Sequence, residues 1–194
     1  MGTLEQIKKL REQTGAGIIE VKKALEEASG DEDKAIELLR KSGQAKAAKK
    51  SERDASEGII GTYVHSNQKV GAMVKVLCET DFVAMNEDFQ AFANDIAMHI
   101  TASEPQCVNP EDVDADFVAK EREIWTEQLK GEGKPADIME KIMEGKEKKL
   151  REESALLSQP FVKNPDQTVE DLMNELVVKI GEKIEIGEFA RFSF

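Results

Sequence analysis

Apolar residues change their spacing at Gly58, and that change restricts the chain to a mixed fold in which helices come first. Before it, in residues 3–42, they recur every three or four positions. Leu4, Ile7 and Leu10 share a helical face, and Thr3 with Gln6 fits a capping box, in which each side chain satisfies a free backbone N–H. The TGAG run at Thr14–Gly17 breaks that helix. A second runs from about Ile18 to Ala28 and closes at Ser29-Gly30; Asp31 caps a third, which carries Ala35, Leu38 and Leu39 and stops at Gly43. Three helices of this length share one small core, which is marginal alone and suits a docking module. From Gly58 onward the residues alternate. IIGTYVH (Ile59–His65) and VGAMVKVLC (Val70–Cys78) flank the polar SNQK turn, which is a β-hairpin signal.

The rest of the chain returns to helical spacing and ends on a strand. Asn86 caps a helix whose stripe is Phe89, Phe92, Ala93, Ile96 and Ile100, and Thr101–Pro110 reads as a loop. Two charged helices follow at about 114–130 and 136–153, broken by GEGKP at 131–135. Their thin stripes, Phe117, Ile124 and Leu129, then Ile138, Ile142 and Leu150, suggest a helical hairpin standing partly clear of the core. Asn164–Thr168 reads as a turn and cap. Val169, Leu172, Leu176, Val177 and Ile180 line a last helix that Gly181 stops. KIEIGEFARFSF closes the chain as a strand with Ile184, Ile186, Ala190 and Phe192 in alternation, and Gly187 marks a bulge or close approach. The expected class is α+β: a three-helix bundle (1–43), a polar linker (44–55), and a core (56–194) holding a small antiparallel three-stranded sheet, packed helices and the hairpin at 114–153.

Charge and chemistry exclude more than they assign. Residues 1–55 hold 12 basic and 11 acidic side chains, while the whole chain carries −12. A nucleic-acid binder needs a basic excess with interleaved aromatics, so no direct nucleic-acid partner is expected. Only Lys41, Lys46, Lys49, Lys50 and Arg53 are locally basic; they read as a solvated linker helix, with an RNA contact as the minor alternative. There is no apolar run long enough to span a membrane and no apolar secretion-signal region. Cys78 and Cys107 make no disulfide framework, so a reducing cytoplasm is the expected location. The two histidines, His65 and His99, have no metal-binding spacing. No phosphate-cradling glycine loop or nucleophile elbow occurs, and no acidic pair sits in an apolar run. The chain therefore reads as no enzyme, with no cofactor and no metal.

What remains is apolar residues that folding does not plainly use. On the second helix, Ile18, Val21, Leu25 and Ala28 share a face, and Ile19 lies about 140° from its centre, near Lys22 and Lys23. Ile19 is either a scattered surface residue or a partner contact. In ETDFVAMNEDF (Glu79–Phe89), Phe82 lies between the hairpin's end and the Asn86 cap. Either Thr80 or Asp81 caps a short turn while Phe82 plugs the sheet–helix joint, or Phe82 projects as an aromatic anchor with Asp81 beside it.

At these residues the sequence resembles a known family. LEQIKKLREQTGAGIIEVKKAL (Leu4–Leu25), SGDEDKAIELLRKSG (Ser29–Gly43), ETDFVA (Glu79–Ala84), DIAMHITAS (Asp95–Ser103), KEREI (Lys120–Ile124), EGKEKK (Glu144–Lys149) and SQPFVKNPDQTV (Ser158–Val169) are similar, in order, to bacterial translation elongation factor Ts. The resemblance implies a guanine-nucleotide exchange factor whose partner is elongation factor Tu, a GTPase. It implies a bundle like the ubiquitin-associated fold, docking through Ile18, Ile19 and Lys22. It implies an exchange wedge at Thr80, Asp81, Phe82 and Val83, which intrudes beside the partner's nucleotide and disturbs its magnesium. Met98 and His99 match a further contact region, which a buried helix end explains equally well. A single sheet-bearing core looks like the short form of the family, which is expected to pair as a homodimer with the final strand near the interface. The bundle alone would also suit an adaptor for ubiquitin-like partners, but the TGAG loop lacks the apolar aromatic residue such modules use.

Overall fold

The computed structural model describes residues 3–130 and 136–194. Among these residues the helices are α1 (Leu4–Thr14), α2 (Ile18–Glu27), α3 (Glu32–Lys50), α4 (Asp81–Ala84), α5 (Glu87–Ser103), α6 (Ala115–Lys130), α7 (Ala136–Ser154) and α8 (Val169–Ile180). The strands are β1 (Glu57–Val64), β2 (Val70–Cys78), β3 (Pro160–Phe161), β4 (Asn164–Thr168) and β5 (Ile184–Ser193). The class is α+β, as expected. The expected GEGKP break lies outside the described residues. Two compact units form, one from Met1–Met98 with Glu170–Phe194 and the other from His99–Val169.

In the first unit, local chemistry sets the helix starts. Thr3 Oγ1 accepts the Gln6 N–H at 3.2 Å while Gln6 Oε1 accepts the Thr3 N–H at 2.9 Å. Asp31 Oδ1 accepts the Lys34 N–H at 3.1 Å. Leu10, Val21, Leu25, Ala35 and Leu39 then bury one core among α1, α2 and α3. The third helix departs from expectation. It does not stop at Gly43 but runs on to Lys50, so the polar connector is helical over 44–50, the form the sequence allowed for it. Gly43 serves packing rather than termination: a Cβ there would lie 3.3 Å from Val178 Cγ2 on α8. Residues on both sides of 44–55 accordingly fall within one compact unit.

The sheet has the order β1-β2-β5, antiparallel throughout. On β2, Ala72, Val74, Val76 and Cys78 are buried in alternation, which is the period-2 signature of a half-covered sheet. Phe89, Phe92, Ala93 and Ile96 of α5 are also buried. The helix crosses β1 so closely that a Cβ at Gly61 would lie 2.3 Å from the Ala93 carbonyl oxygen. Only glycine allows that approach. The final strand corrects a second expectation. Val76 pairs with Ile186 but Val74 pairs with Phe189, so one extra residue is inserted near Gly187. The bulge reverses the alternation. Phe189 takes the side of Ile184 and Ile186, while Ala190 and Phe192 turn to the opposite, exposed face.

In the second unit, α6 and α7 pack through Trp125, Leu129 and Met143, and Lys146 Nζ lies 5.5 Å from the Trp125 ring centroid. The expected stripe is only partly used: Ile124 and Ile138 are nearly half exposed, and Trp125 carries the packing instead. Glu147 joins the helices by pairing with Arg122 on α6 and Arg151 on α7. Both arginines hold its carboxyl below the usual range, Arg122 most strongly. Asn164–Thr168, expected as a turn and cap, is a strand paired with Pro160–Phe161. NPDQT has no apolar alternation, so its pairing left no periodic signal.

Candidate functional site

The corner after β2 is built by one threonine. Thr80 keeps extended backbone, at φ −132° and ψ 154°, and its Oγ1 accepts the Val83 N–H at 3.4 Å. That cap starts the one-turn helix α4. Of the two candidate caps, Thr80 is the one used. Asp81 stands exposed in the first turn, where a negative charge meets free backbone N–H groups. Ala84 takes the buried side of the turn, so the ring next to it faces outward. Phe82 is 81% exposed and does not plug the joint. Met85, one position past α4, is also largely exposed, while Val83 is half-buried.

The backbone under this exposed ring is heavily tied. Glu182 accepts from the Thr80 N–H at 3.1 Å and from its hydroxyl at 2.8 Å. The buried Cys78 thiol donates to the Thr80 carbonyl at 3.1 Å. Burial, and then the Glu182 charge, raise that thiol above its ordinary pKa, so it stays protonated and able to donate. Glu79 accepts the Lys183 N–H and pairs with Arg53. The Lys183 hydrogen bond first, then Arg53, hold the Glu79 carboxyl below its ordinary range.

The N-terminal candidate surface lies at the start of α2. Gly17 occupies the cap position without a side-chain hydrogen bond. Val21, Ala24 and Leu25 turn inward, leaving Ile19 83% exposed beside exposed Lys22. Ile18 shares a helical face with the buried residues but sits in the first turn, where the helix end leaves it more than half exposed. Glu20, on the same turn, pairs with Lys46 of α3.

Met98 and His99 differ sharply. Met98 is half-buried, whereas His99 is fully buried. The His99 Nδ1 accepts the Val162 N–H at 3.2 Å, which leaves Nε2 to donate to Gln159 Oε1 at 3.0 Å. Burial lowers the imidazole pKa below its ordinary 6.5, opposed by the Gln159 hydrogen bond, so the ring is neutral. Among the described residues no group of three or more His, Cys, Asp or Glu side chains could hold a metal ion, and no helix is long and apolar enough to cross a membrane.

The family model described as Elongation factor TS matches residues 4–194. The chain belongs to the elongation factor Ts family. It is 54% identical over 187 residues to elongation factor Ts of Solidesulfovibrio magneticus, covering 96% of this chain and 94% of that protein. It is 52% identical to the protein of the same name from Carboxydothermus hydrogenoformans, covering 99% and 88%. Against that of Desulfosudis oleivorans it is 49% identical, covering 100% and 98%. Family membership makes the chain a translation elongation factor.

At the corner, two participants were not legible in the sequence. Met85 follows the ETDFVA motif directly, and its exposure beside Phe82 was hidden because an isolated Met reads as core filler. Glu182 sits 102 positions from Thr80, in a charged turn after α8 that has no motif of its own.

Proposed function

We propose that the chain is the guanine-nucleotide exchange factor for elongation factor Tu, that it acts without covalent chemistry, and that Phe82 is its wedge. One observation carries the reading: a large aromatic ring, 81% exposed, stands on a corner where Cys78 and Glu182 tie the Thr80 main chain, Glu182 also holds the Thr80 hydroxyl, and the Glu79 carboxylate holds the Lys183 N–H and Arg53. An aromatic side chain left in water on a rigid support is the usual form of an interface anchor. Asp81 is the charged neighbour, and Thr80 and Val83 set the backbone. The N-terminal bundle, residues 1–43, docks through Ile18, Ile19 and Lys22, which keeps the factor near the nucleotide site while the wedge enters. Met98, half-buried, and the buried His99 complete the proposed contact set.

The mechanism is linkage. GDP and the factor bind the same partner but favour different arrangements of its nucleotide-binding loops, so each weakens the other by the same factor. The partner's magnesium neutralises phosphate charge, and its disturbance speeds GDP departure. The test is release of a fluorescent GDP from purified elongation factor Tu. The chain accelerates release in proportion to its concentration until the partner saturates; an unchanged release rate overturns the reading.

The homodimer belongs to the same proposal. Ile60, Val64, Met73 and Phe192 all leave half or more of their surface exposed on the sheet face opposite the core. A second copy covering that face would remove an apolar patch that isolated soluble chains rarely keep. Light scattering should give a mass close to twice 21.6 kDa, and Phe192→Glu should return it to that of one chain. A single-chain mass for the wild type at micromolar concentration rejects the dimer.

A further inference from the structure

The direction of Phe82 is set from elsewhere in the chain. The ring is too exposed for packing to hold it, and a helix of one turn has little stability of its own. Its orientation is therefore inherited from Thr80. The Thr80 hydroxyl has one proton. With that proton given to Glu182 Oε1 at 2.8 Å, the oxygen is left to accept from the Val83 N–H, which is the cap that starts α4. The other Glu182 oxygen takes the Thr80 backbone N–H at 3.1 Å, so the residue is fixed at both side chain and main chain. The next residues make the reverse exchange, with the Lys183 N–H donating to Glu79. Two consecutive residues of the β2–α4 corner are thus cross-tied to two consecutive residues of the α8–β5 turn. Hydrogen bonds to an ionised carboxylate are roughly twice as strong as neutral ones.

We propose that Glu182 is the positioning residue of the wedge: by holding the Thr80 N–H and hydroxyl together, its carboxylate sets the axis of Asp81–Ala84 so that Phe82 stands outward before the partner arrives. This rests on the exchange reading given above. A wedge that is already ordered loses less conformational freedom on entry, and that gain appears only in the state with the nucleotide loosened. Glu182 should therefore act on the rate of release at saturation, not on docking.

The experiment is fluorescent-GDP release from elongation factor Tu, with the full chain titrated and read well below its thermal midpoint. Glu182→Ala removes both charge-assisted hydrogen bonds and should lower the saturating release rate about tenfold or more, while shifting the half-saturating concentration less than about twofold. Glu182→Gln keeps one acceptor oxygen and should recover part of the rate. In a Phe82→Ala background, Glu182→Ala should cause less than about a twofold further loss, because the two residues act as a unit. An equal loss in both backgrounds, or a rise in half-saturation without a fall in saturating rate, overturns the proposal. Should Glu182→Ala fail to fold, Glu182→Gln and Thr80→Val decide; a wild-type saturating rate in both overturns it. If Phe82→Ala itself releases GDP at the wild-type rate, the wedge reading fails; if Phe82→Ala is slow and Glu182→Ala is not, only the positioning role fails.

Discussion

The corner around Phe82 and the surroundings of His99 each carry a sequence motif that the family resemblance links to a partner, and they use their side chains in opposite ways. At the corner the backbone is tied by Glu182 and Cys78, the Glu79 carboxylate holds the Lys183 N–H, and the aromatic side chain is left in water. Around His99 the imidazole does the tying, to Gln159 and to the Val162 main chain, and none of it reaches the surface. The difference separates a side chain left free to touch a partner from one spent on holding its own fold. A motif of several residues marks both kinds alike. Only exposure and hydrogen-bond partners tell them apart.

The strongest test of that contrast is Phe82→Ala. It should slow GDP release by about thirtyfold or more, the scale of a dominant interface anchor. Its stability should stay within about 0.5 kcal/mol of wild type, because the ring is exposed. A large fall in thermal midpoint would show that the ring supports the fold after all. His99→Ala should do the reverse. It removes two buried hydrogen bonds and leaves a gap, at a cost of about 2–3 kcal/mol in chemical denaturation, while release measured on folded protein stays within about twofold. A folded His99→Ala variant that has lost exchange would move His99 into the contact surface.

Smaller effects sharpen the comparison. Ile19→Glu should raise the half-saturating concentration about fivefold to tenfold, corresponding to ~1–1.4 kcal/mol of docking, with the saturating release rate and thermal midpoint unchanged. Glu175 supplies a titrating counterpart to the neutral His99. It lies in a small cavity with Arg40 and Asp171, and burial raises its pKa to about 7. Arg40 opposes that rise, and among the described residues the buried Arg40 Nε has no hydrogen-bond partner. A raised carboxyl pKa favours the folded state fully below the ordinary value of 4.5, and that advantage is lost as pH climbs through about 7. Glu175→Gln should therefore raise the thermal midpoint at pH 8 by about 2–4 °C, the shift from ~1 kcal/mol once solvent screening is allowed for. At pH 5 the gain should vanish. A pH-independent difference would place the Glu175 carboxyl outside the titration.

Local chemistry was legible because each signal needs only neighbours in sequence. The Thr3–Gln6 box, the Asp31 and Asn86 caps, the β1–β2 hairpin and the α5 stripe all close within a few residues, and the structure has each of them. Gly187 announced a bulge, but not that the bulge would turn Phe192 outward and Phe189 inward, since a strand's faces are assigned only against its partner. Gly43 looked like a stop and is a contact point, because nothing nearby in sequence shows Val178 approaching it. Trp125 and Glu182 were invisible for the same reason.

By itself the sequence determined the order and type of the main elements, the family, and the segment proposed here as the wedge. Tertiary structure alone decided which side chains of that segment face water and what fixes them. Secondary structure follows from interactions among residues a few positions apart. The outward stance of a single ring depends on a carboxylate 102 positions away, brought there only once β2, α8 and β5 have packed.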